Sequence, residues 1–253
     1  MRAAPVGRPS GGVVVIVSWL RSIAAYLFII VYVLVLGPPA LIVTALTGKA
    51  RLLILLGRWC AMGARHIFGI RVRVENLDRV VAARPTVYCI NHRSNVDVIV
   101  FELLLPRCRN IKAIYKAELG KLPILGLVLR AAGFVPVERA QRDKAIEAVD
   151  AAADRLRAGD SFLLAPEGTR SRTREMLPFK KGAFVMAIKG QAPVVPIAIL
   201  NADLALPRGR FYATPCELLI RVGEPVPTLG LTLADRDALT ATVRAQMERL
   251  LSA

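Results

Sequence analysis

Acidic residues are missing from the first 74 positions of this 253-residue chain; the first is Glu75. Histidine is almost as scarce, with only His66 and His92, and the four cysteines (Cys60, Cys89, Cys108 and Cys216) form no C-x-x-C pair. That scarcity argues against a zinc site and a disulfide scaffold, and it fits a reducing compartment. Aromatics are 6% of residues and do not interleave with basic ones, and no helix-turn-helix signature is present. Nucleic acid is therefore not an expected partner. No Gly-x-Gly-x-x-Gly follows a strand-like run, so the dinucleotide fingerprint is missing too. Internal repeats and low-complexity tracts are lacking, and at 55% hydrophobic the chain is too apolar for a disordered basic tail.

The charge that is present is basic and unevenly placed. Thirty-five Lys and Arg face 19 Asp and Glu, a net +16, and nine of the basic residues precede Glu75. The N-terminal stretch therefore carries +9 and the remainder +7. Because the strongest imbalance coincides with the most apolar stretch, it points to an anionic membrane surface. No charge occurs between Arg21 and Lys49. The run Val13–Leu36 is long enough to span a bilayer core, which takes roughly 20 apolar residues, but it carries Arg21 and ends at Pro38-Pro39. A second stretch, Arg51–Gly69, places Arg51, Arg58 and Arg65 seven residues apart, hence on one helical face. These features predict a helical hairpin over residues 1–69: an apolar arm, a turn at Pro38-Pro39, and a basic amphipathic arm in the headgroup layer. Spanning and half-embedded placements both stay open. A cleaved signal peptide is disfavoured, because Arg21 interrupts the apolar region and no small-x-small site follows.

From Ile70 the period changes. Ile70, Val72 and Val74 alternate with Arg71, Arg73 and Glu75, the pattern of a half-buried strand. Short β-rich runs at 86–90, 111–115, 134–137, 161–164, 194–200 and 217–222 then alternate with helical stretches, the last near 233–251. The expected class for residues 70–253 is α/β, a mixed β-sheet flanked by helices.

Two constellations could carry chemistry. Asn91-His92-Arg93-Ser94-Asn95-Val96-Asp97 follows a strand and precedes a helix. Ser94 or Asn95 would cap that helix, but His92 has no capping advantage. A histidine with a carboxylate is the pair a general base needs. Five residues advance about 140° round a helix, so the two meet only if His92 stays on the loop and Asp97 lies in the helix. The second constellation is Ala165-Pro166-Glu167-Gly168-Thr169-Arg170-Ser171, again after a strand, with Arg172, Arg174, Lys180 and Lys181 close behind. A strand-end loop this basic is a cradle for a phosphate or, more plainly, a solvated turn.

Together these residues resemble the glycerolipid acyltransferase family, most closely its bacterial 1-acyl-sn-glycerol-3-phosphate (lysophosphatidic acid) acyltransferases. Asn91–Asp97 looks like the Asn-His-x-Ser-x-x-Asp block, and Gly133–Arg139 like a second block ending in an arginine tied to the acceptor phosphate. Pro166–Ser171 resembles the third block, with Ala165 where a Phe usually leads, and Val194–Ile199 the fourth, near the acyl site. The resemblance covers roughly residues 70–225, the blocks falling in order.

It implies an acyltransferase domain over residues 70–253, with His92 and Asp97 catalytic and Lys116, Arg139, Glu167, Gly168, Thr169 and Arg170 binding the acceptor. The implied reaction moves an acyl group from acyl-CoA or acyl-acyl carrier protein, a co-substrate, to the sn-2 hydroxyl of lysophosphatidic acid, giving phosphatidic acid. No bound cofactor and no metal are expected. Another lyso-lipid acceptor, such as a lyso-ornithine lipid or a lysophospholipid, is the alternative. The oxyanion would fall to Asn91 or to nearby backbone N–H groups, and Leu125, Val135 or the fourth block would set chain length. The resemblance also implies a bacterial inner-membrane location, with the active site on the cytoplasmic side.

Overall fold

The computed structural model describes residues 12–80, 84–108, 110–138, 141–171, 175–207 and 209–252. Two helices lead, α1 (Gly12–Thr47) and α2 (Arg51–Phe68), packed as a hairpin. The turn does not fall at Pro38-Pro39, as the sequence had suggested: α1 runs through both prolines and reverses at Gly48–Ala50. Gly37 removes one of the obstacles. Proline disfavours helical geometry in the residue before it by clashing with that residue's N–H and Cβ, and glycine has no Cβ to meet the Pro38 ring. The hairpin closes instead where the Gly48 N–H reaches back to the Thr44 carbonyl at 2.9 Å.

Nor does the arginine face of α2 lie free in a headgroup layer. Arg65 forms a fork on buried Glu102, with Nε and Nη2 each 3.4 Å from a carboxylate oxygen, and Arg58 Nε donates to the Glu102 carbonyl at 3.3 Å. A buried carboxylate needs a cation and donors to offset its desolvation, and α2 supplies both. Only Arg51 of the three is exposed. The helix ends at Gly69, whose φ of +75° is left-handed and whose missing Cβ leaves room for the Arg21 guanidinium and Pro215. A side chain there would be strained and would collide with both.

The strands are β1 (Ile70–Glu75), β2 (Val87–Ile90), β3 (Ile111–Lys116), β4 (Val135–Val137), β5 (Ser161–Leu164), β6 (Val194–Leu200) and β7 (Cys216–Val222). They form one seven-stranded sheet in the order β1-β7-β6-β2-β5-β3-β4. Every pairing is parallel except β6 with β7. The helices between and after them are α3 (Ile99–Leu104), α4 (Pro123–Ala131), α5 (Arg142–Arg157), α6 (Gly182–Lys189), α7 (Ala202–Ala205) and α8 (Arg236–Ser252).

Strand β2 is buried along its whole length, as a central parallel strand covered on both faces must be. Tyr88 and Ile90 face one core, with Leu104, Leu163 and Ile197. Val87 and Cys89 face the other, with Phe162, Phe184, Leu156 and Met186 in that layer. Because β2, β3, β4, β5 and β6 run parallel, their carboxyl ends share one edge. In such sheets the crevice outside the carboxyl ends is where ligands bind.

Candidate active site

Both constellations sit on that edge, one after β2 and the other after β5, which are neighbours in the sheet. His92 lies on the loop. Asp97 is in the single 3-10 turn Asn95–Val98 that leads into α3. This arrangement brings His92 Nδ1 to 2.7 Å from Asp97 Oδ2, and the same oxygen accepts the backbone N–H groups of Arg93 (2.9 Å) and Ser94 (3.0 Å). An oxygen already accepting two N–H groups is a carboxylate acceptor, so Nδ1 carries the proton and Nε2 is left as the basic nitrogen. Asp97 is 2% exposed, and its Oδ1 has no hydrogen-bond partner among the described residues.

The helix cap and the His92–Asp97 contact are parts of one structure. Ser94 accepts the Val96 N–H on its hydroxyl while Asp97 accepts the Ser94 N–H, a capping box. The residue that closes the box is the one that holds His92. Ser94 itself is buried, and its hydroxyl donates to the Leu206 carbonyl at 2.7 Å, so it serves the turn and is not presented as a nucleophile. Asn91 is also committed: its amide donates to the Ile199 carbonyl (3.0 Å) and accepts the Ile199 N–H (2.7 Å), stitching β2 to β6. Of the two oxyanion donors considered from sequence, backbone N–H groups are the one this arrangement leaves.

From the second loop, Glu167 reaches back to the first. It is 3% exposed, with Oε1 accepting the His92 N–H (2.9 Å) and Oε2 the Leu177 N–H (2.8 Å). The Ser171 N–H donates to the His92 carbonyl at 2.9 Å. His92 is therefore held through its side chain by Asp97 and through both of its own peptide groups by the β5 loop. Gly168 has φ +70°, and a Cβ there would lie 2.9 Å from Lys180 Cε. Arg170 is half-buried and donates to Asn95 Oδ1 at 2.8 Å, tying the two loops together beside the His–Asp pair.

Thr169 is exposed on the same loop. Lys116 ends β3 on the same edge, exposed and 3.2 Å from Glu118, whose carboxyl its own backbone N–H and Lys116 hold below the usual range. Arg139, Arg172 and Arg174 lie outside the described residues.

Residues 71–200 match the Acyltransferase family. The chain belongs to that family. This acyltransferase is 33% identical over 219 residues to "1-acyl-sn-glycerol-3-phosphate acyltransferase alpha" of Mus musculus, covering 85% of this chain and 76% of that protein. It is 30% identical over 216 residues to the Saccharomyces cerevisiae "1-acyl-sn-glycerol-3-phosphate acyltransferase", covering 83% and 70%. Its fold is similar to the crystal structure of the 1-acyl-sn-glycerophosphate (LPA) acyltransferase PlsC from Thermotoga maritima. The TM-score is 0.77 at 24% identity, covering 94% of this chain and 97% of that one.

The acyltransferase also has a feature that sequence reading missed, an apolar cavity of about 180 Å³ between the hairpin and the sheet domain. Leu53 and Gly57 of α2, Phe101, Val128 and Phe134 wall it, together with Val98, the residue after Asp97. Phe101 and Phe134 meet edge to face at 5.3 Å. Leu125 and Val135, considered for setting chain length, do not line it: Leu125 is exposed and Val135 belongs to the opposite core. Only the hydrophobic spacing of α2 could have signalled this cavity in advance, because its other walls come from two further chain segments, 98–105 and 128–134.

Burial pushes the thiol of Cys89 up to about 12 and that of Cys216 to about 11, so neither is poised as a thiolate nucleophile. Among the described residues, no cluster of three or more His, Cys, Asp or Glu has the arrangement of a metal site.

Proposed function

We propose that this acyltransferase moves a fatty acyl group from a thioester, on coenzyme A or acyl carrier protein, to the sn-2 hydroxyl of 1-acylglycerol 3-phosphate. The observation that carries the reading is the 2.7 Å contact between His92 and buried Asp97, beside Arg170 on an edge of the sheet. The names of its relatives supply the acceptor.

In this mechanism Nε2 of His92 takes the proton of the sn-2 hydroxyl as its oxygen attacks the thioester carbonyl carbon. Asp97 offsets the charge of the imidazolium. The tetrahedral intermediate collapses with cleavage of the C–S bond, and the leaving thiolate takes the proton from His92. The products are an ester and a free thiol, with no acyl-enzyme.

Arg170, with Lys116 and Arg139 as further cations, holds the acceptor phosphate and so positions the hydroxyl. Glu167 acts through His92, since both of its oxygens are taken up by backbone N–H groups. The cavity beside Val98 takes the donor's acyl chain, its walls being apolar and next to the catalytic turn.

Helix α1 attaches the enzyme to the membrane where a lyso-lipid acceptor resides. It is long and apolar enough to cross a bilayer, and only 11% of its most apolar window is buried inside the fold. A site on the cytoplasmic side of a bacterial inner membrane fits this attachment. Incubating the purified protein with mixed lyso-lipids and both donor types, followed by mass spectrometry, tests the assignment: phosphatidic acid is expected as the main product. A different acylated lipid as the main product would replace the acceptor.

A further inference from the structure

We propose that the enzyme contacts lipid through a rim of three parts, in which α4 and the loop around Phe211 flank the His92 site and join α1. The proposal rests on the membrane attachment assigned to α1 and adds where the bilayer surface meets the catalytic domain. Between the end of β3 and the end of α4, Leu119, Leu122, Ile124, Leu125 and Leu127 are each 39–52% exposed. No acid occurs between Glu118 and Glu138, while Lys121 and Arg130 are exposed at the border of this patch. Phe211 is 76% exposed.

These two apolar pieces are not placed at random. The α4 segment follows β3 and the Phe211 loop follows β6, so both leave the carboxyl edge that carries His92. In the sheet, β2 lies between β6 and β3. Each piece is also continuous with α1. Helix α4 packs on α1, Trp19 meets Tyr212 at 4.9 Å between ring centroids, and Ser22 Oγ accepts the Ala213 N–H at 2.9 Å. Arg210 lies over the Tyr212 ring at 4.8 Å, which adds a cation beside the aromatics. Apolar side chains bordered by Lys, Arg, Trp and Tyr are the chemistry of the headgroup–acyl boundary of an anionic bilayer. An aqueous protein partner has no need of such continuity with an apolar helix of 36 residues. Leu229 provides the contrast: it is 84% exposed, but its loop joins the amino end of β6 through the Val194–Val226 bridge, at the opposite edge.

The test uses the full chain in vesicles of phosphatidylglycerol and phosphatidylethanolamine. Single cysteines at Leu27, Ile124, Phe211 and Leu229 are labelled with an environment-sensitive fluorophore, and labelling of the unsubstituted chain is subtracted. Doxyl-labelled lipid is expected to quench the probes at 27, 124 and 211 at least twofold more than the probe at 229. Quenching at 27 with positions 124 or 211 still in water would overturn the proposal and leave the α1 attachment standing. Absence of quenching at 27 as well would remove both. A blue shift at 124 or 211 that depends on protein concentration and not on doxyl lipid would mean a second copy covers the patch, and would also overturn it. As an activity readout, I124E/F211E should lower transfer to vesicle-embedded lysophosphatidic acid at least fivefold and leave transfer to a water-soluble short-chain acceptor within twofold. Equal loss on both acceptors would contradict it.

Discussion

Glu167 accepts the backbone N–H of His92 at 2.9 Å across 75 residues of sequence, with its other oxygen on the Leu177 N–H. The carboxylate therefore fixes the height of the His92 loop above the sheet. In the proposed mechanism it positions His92, its two oxygens being taken up by backbone N–H groups.

Replacing Glu167 with Gln keeps one acceptor and turns the other into a donor facing an N–H. We expect a stability loss of about 1–3 kcal/mol together with a kcat at least tenfold lower. The KM of the acceptor should change less than kcat. Thermal unfolding beside steady-state kinetics checks this, and a KM effect exceeding the kcat effect would return Glu167 to the acceptor pocket.

Arg170 to Ala should act on the other parameter. Losing a charged contact to phosphate costs about 1.5–3 kcal/mol, which corresponds to a rise in acceptor KM of about ten- to a hundredfold. The KM of the acyl donor should move less than twofold. Equal rises in both would deny the residue a role in holding phosphate.

The pair formed by Arg65 and Glu102 holds the hairpin to the sheet domain. Arg65 is 24% and Glu102 7% exposed, so leaving the carboxylate alone in R65A should cost about 1–3 kcal/mol. The expected companion is E102Q/R65M, which removes both charges and recovers most of that loss. A double-mutant cycle by chemical unfolding with no coupling would show that the hairpin docks by apolar contact alone.

Cys89 offers a test of the direct-transfer mechanism. Its thiol is fully buried and pushed up to about 12, so the folded protein holds the proton well above the value of a free cysteine. The sign follows: any stability linked to this group is complete below the unfolded value of about 8.5 and declines as pH rises toward 12. At pH 8 iodoacetamide should leave Cys89 unmodified and activity intact, with alkylation there appearing only on unfolding. Peptide mapping showing acylated Cys89 in the native enzyme would contradict direct transfer, and alkylation there before unfolding would contradict its burial.

Much of this architecture could be read from residue order. The period-two alternation at Ile70–Glu75 becomes β1 because one face of an edge strand is wet, and the run of apolar residues at 194–200 becomes β6 because both of its faces are covered. His92 and Asp97 were legible as a pair because their spacing admits only one arrangement, loop then helix.

What sequence could not disclose were partnerships between distant segments. Glu167 with His92, Asn91 with Ile199 and Arg65 with Glu102 each depend on the sheet bringing separate strands or helices together. Pro38-Pro39 misled in part for a local reason: the residue before the first proline is Gly37, which has no Cβ to clash with its ring. The seven-residue arginine spacing rightly marked one face of α2, but whether that face meets lipid or Glu102 is decided by α3.

The central claim is that His92 is the general base of acyl transfer to lysophosphatidic acid. It is tested most directly by measuring kcat for phosphatidic acid formation with wild type and H92A, at equal amounts of folded, membrane-bound protein. General-base removal is worth about 10²–10⁴ in rate. The account predicts a kcat for H92A at least a hundredfold lower with fold and membrane binding unchanged, and a rate within tenfold of wild type at the same pH optimum would contradict it.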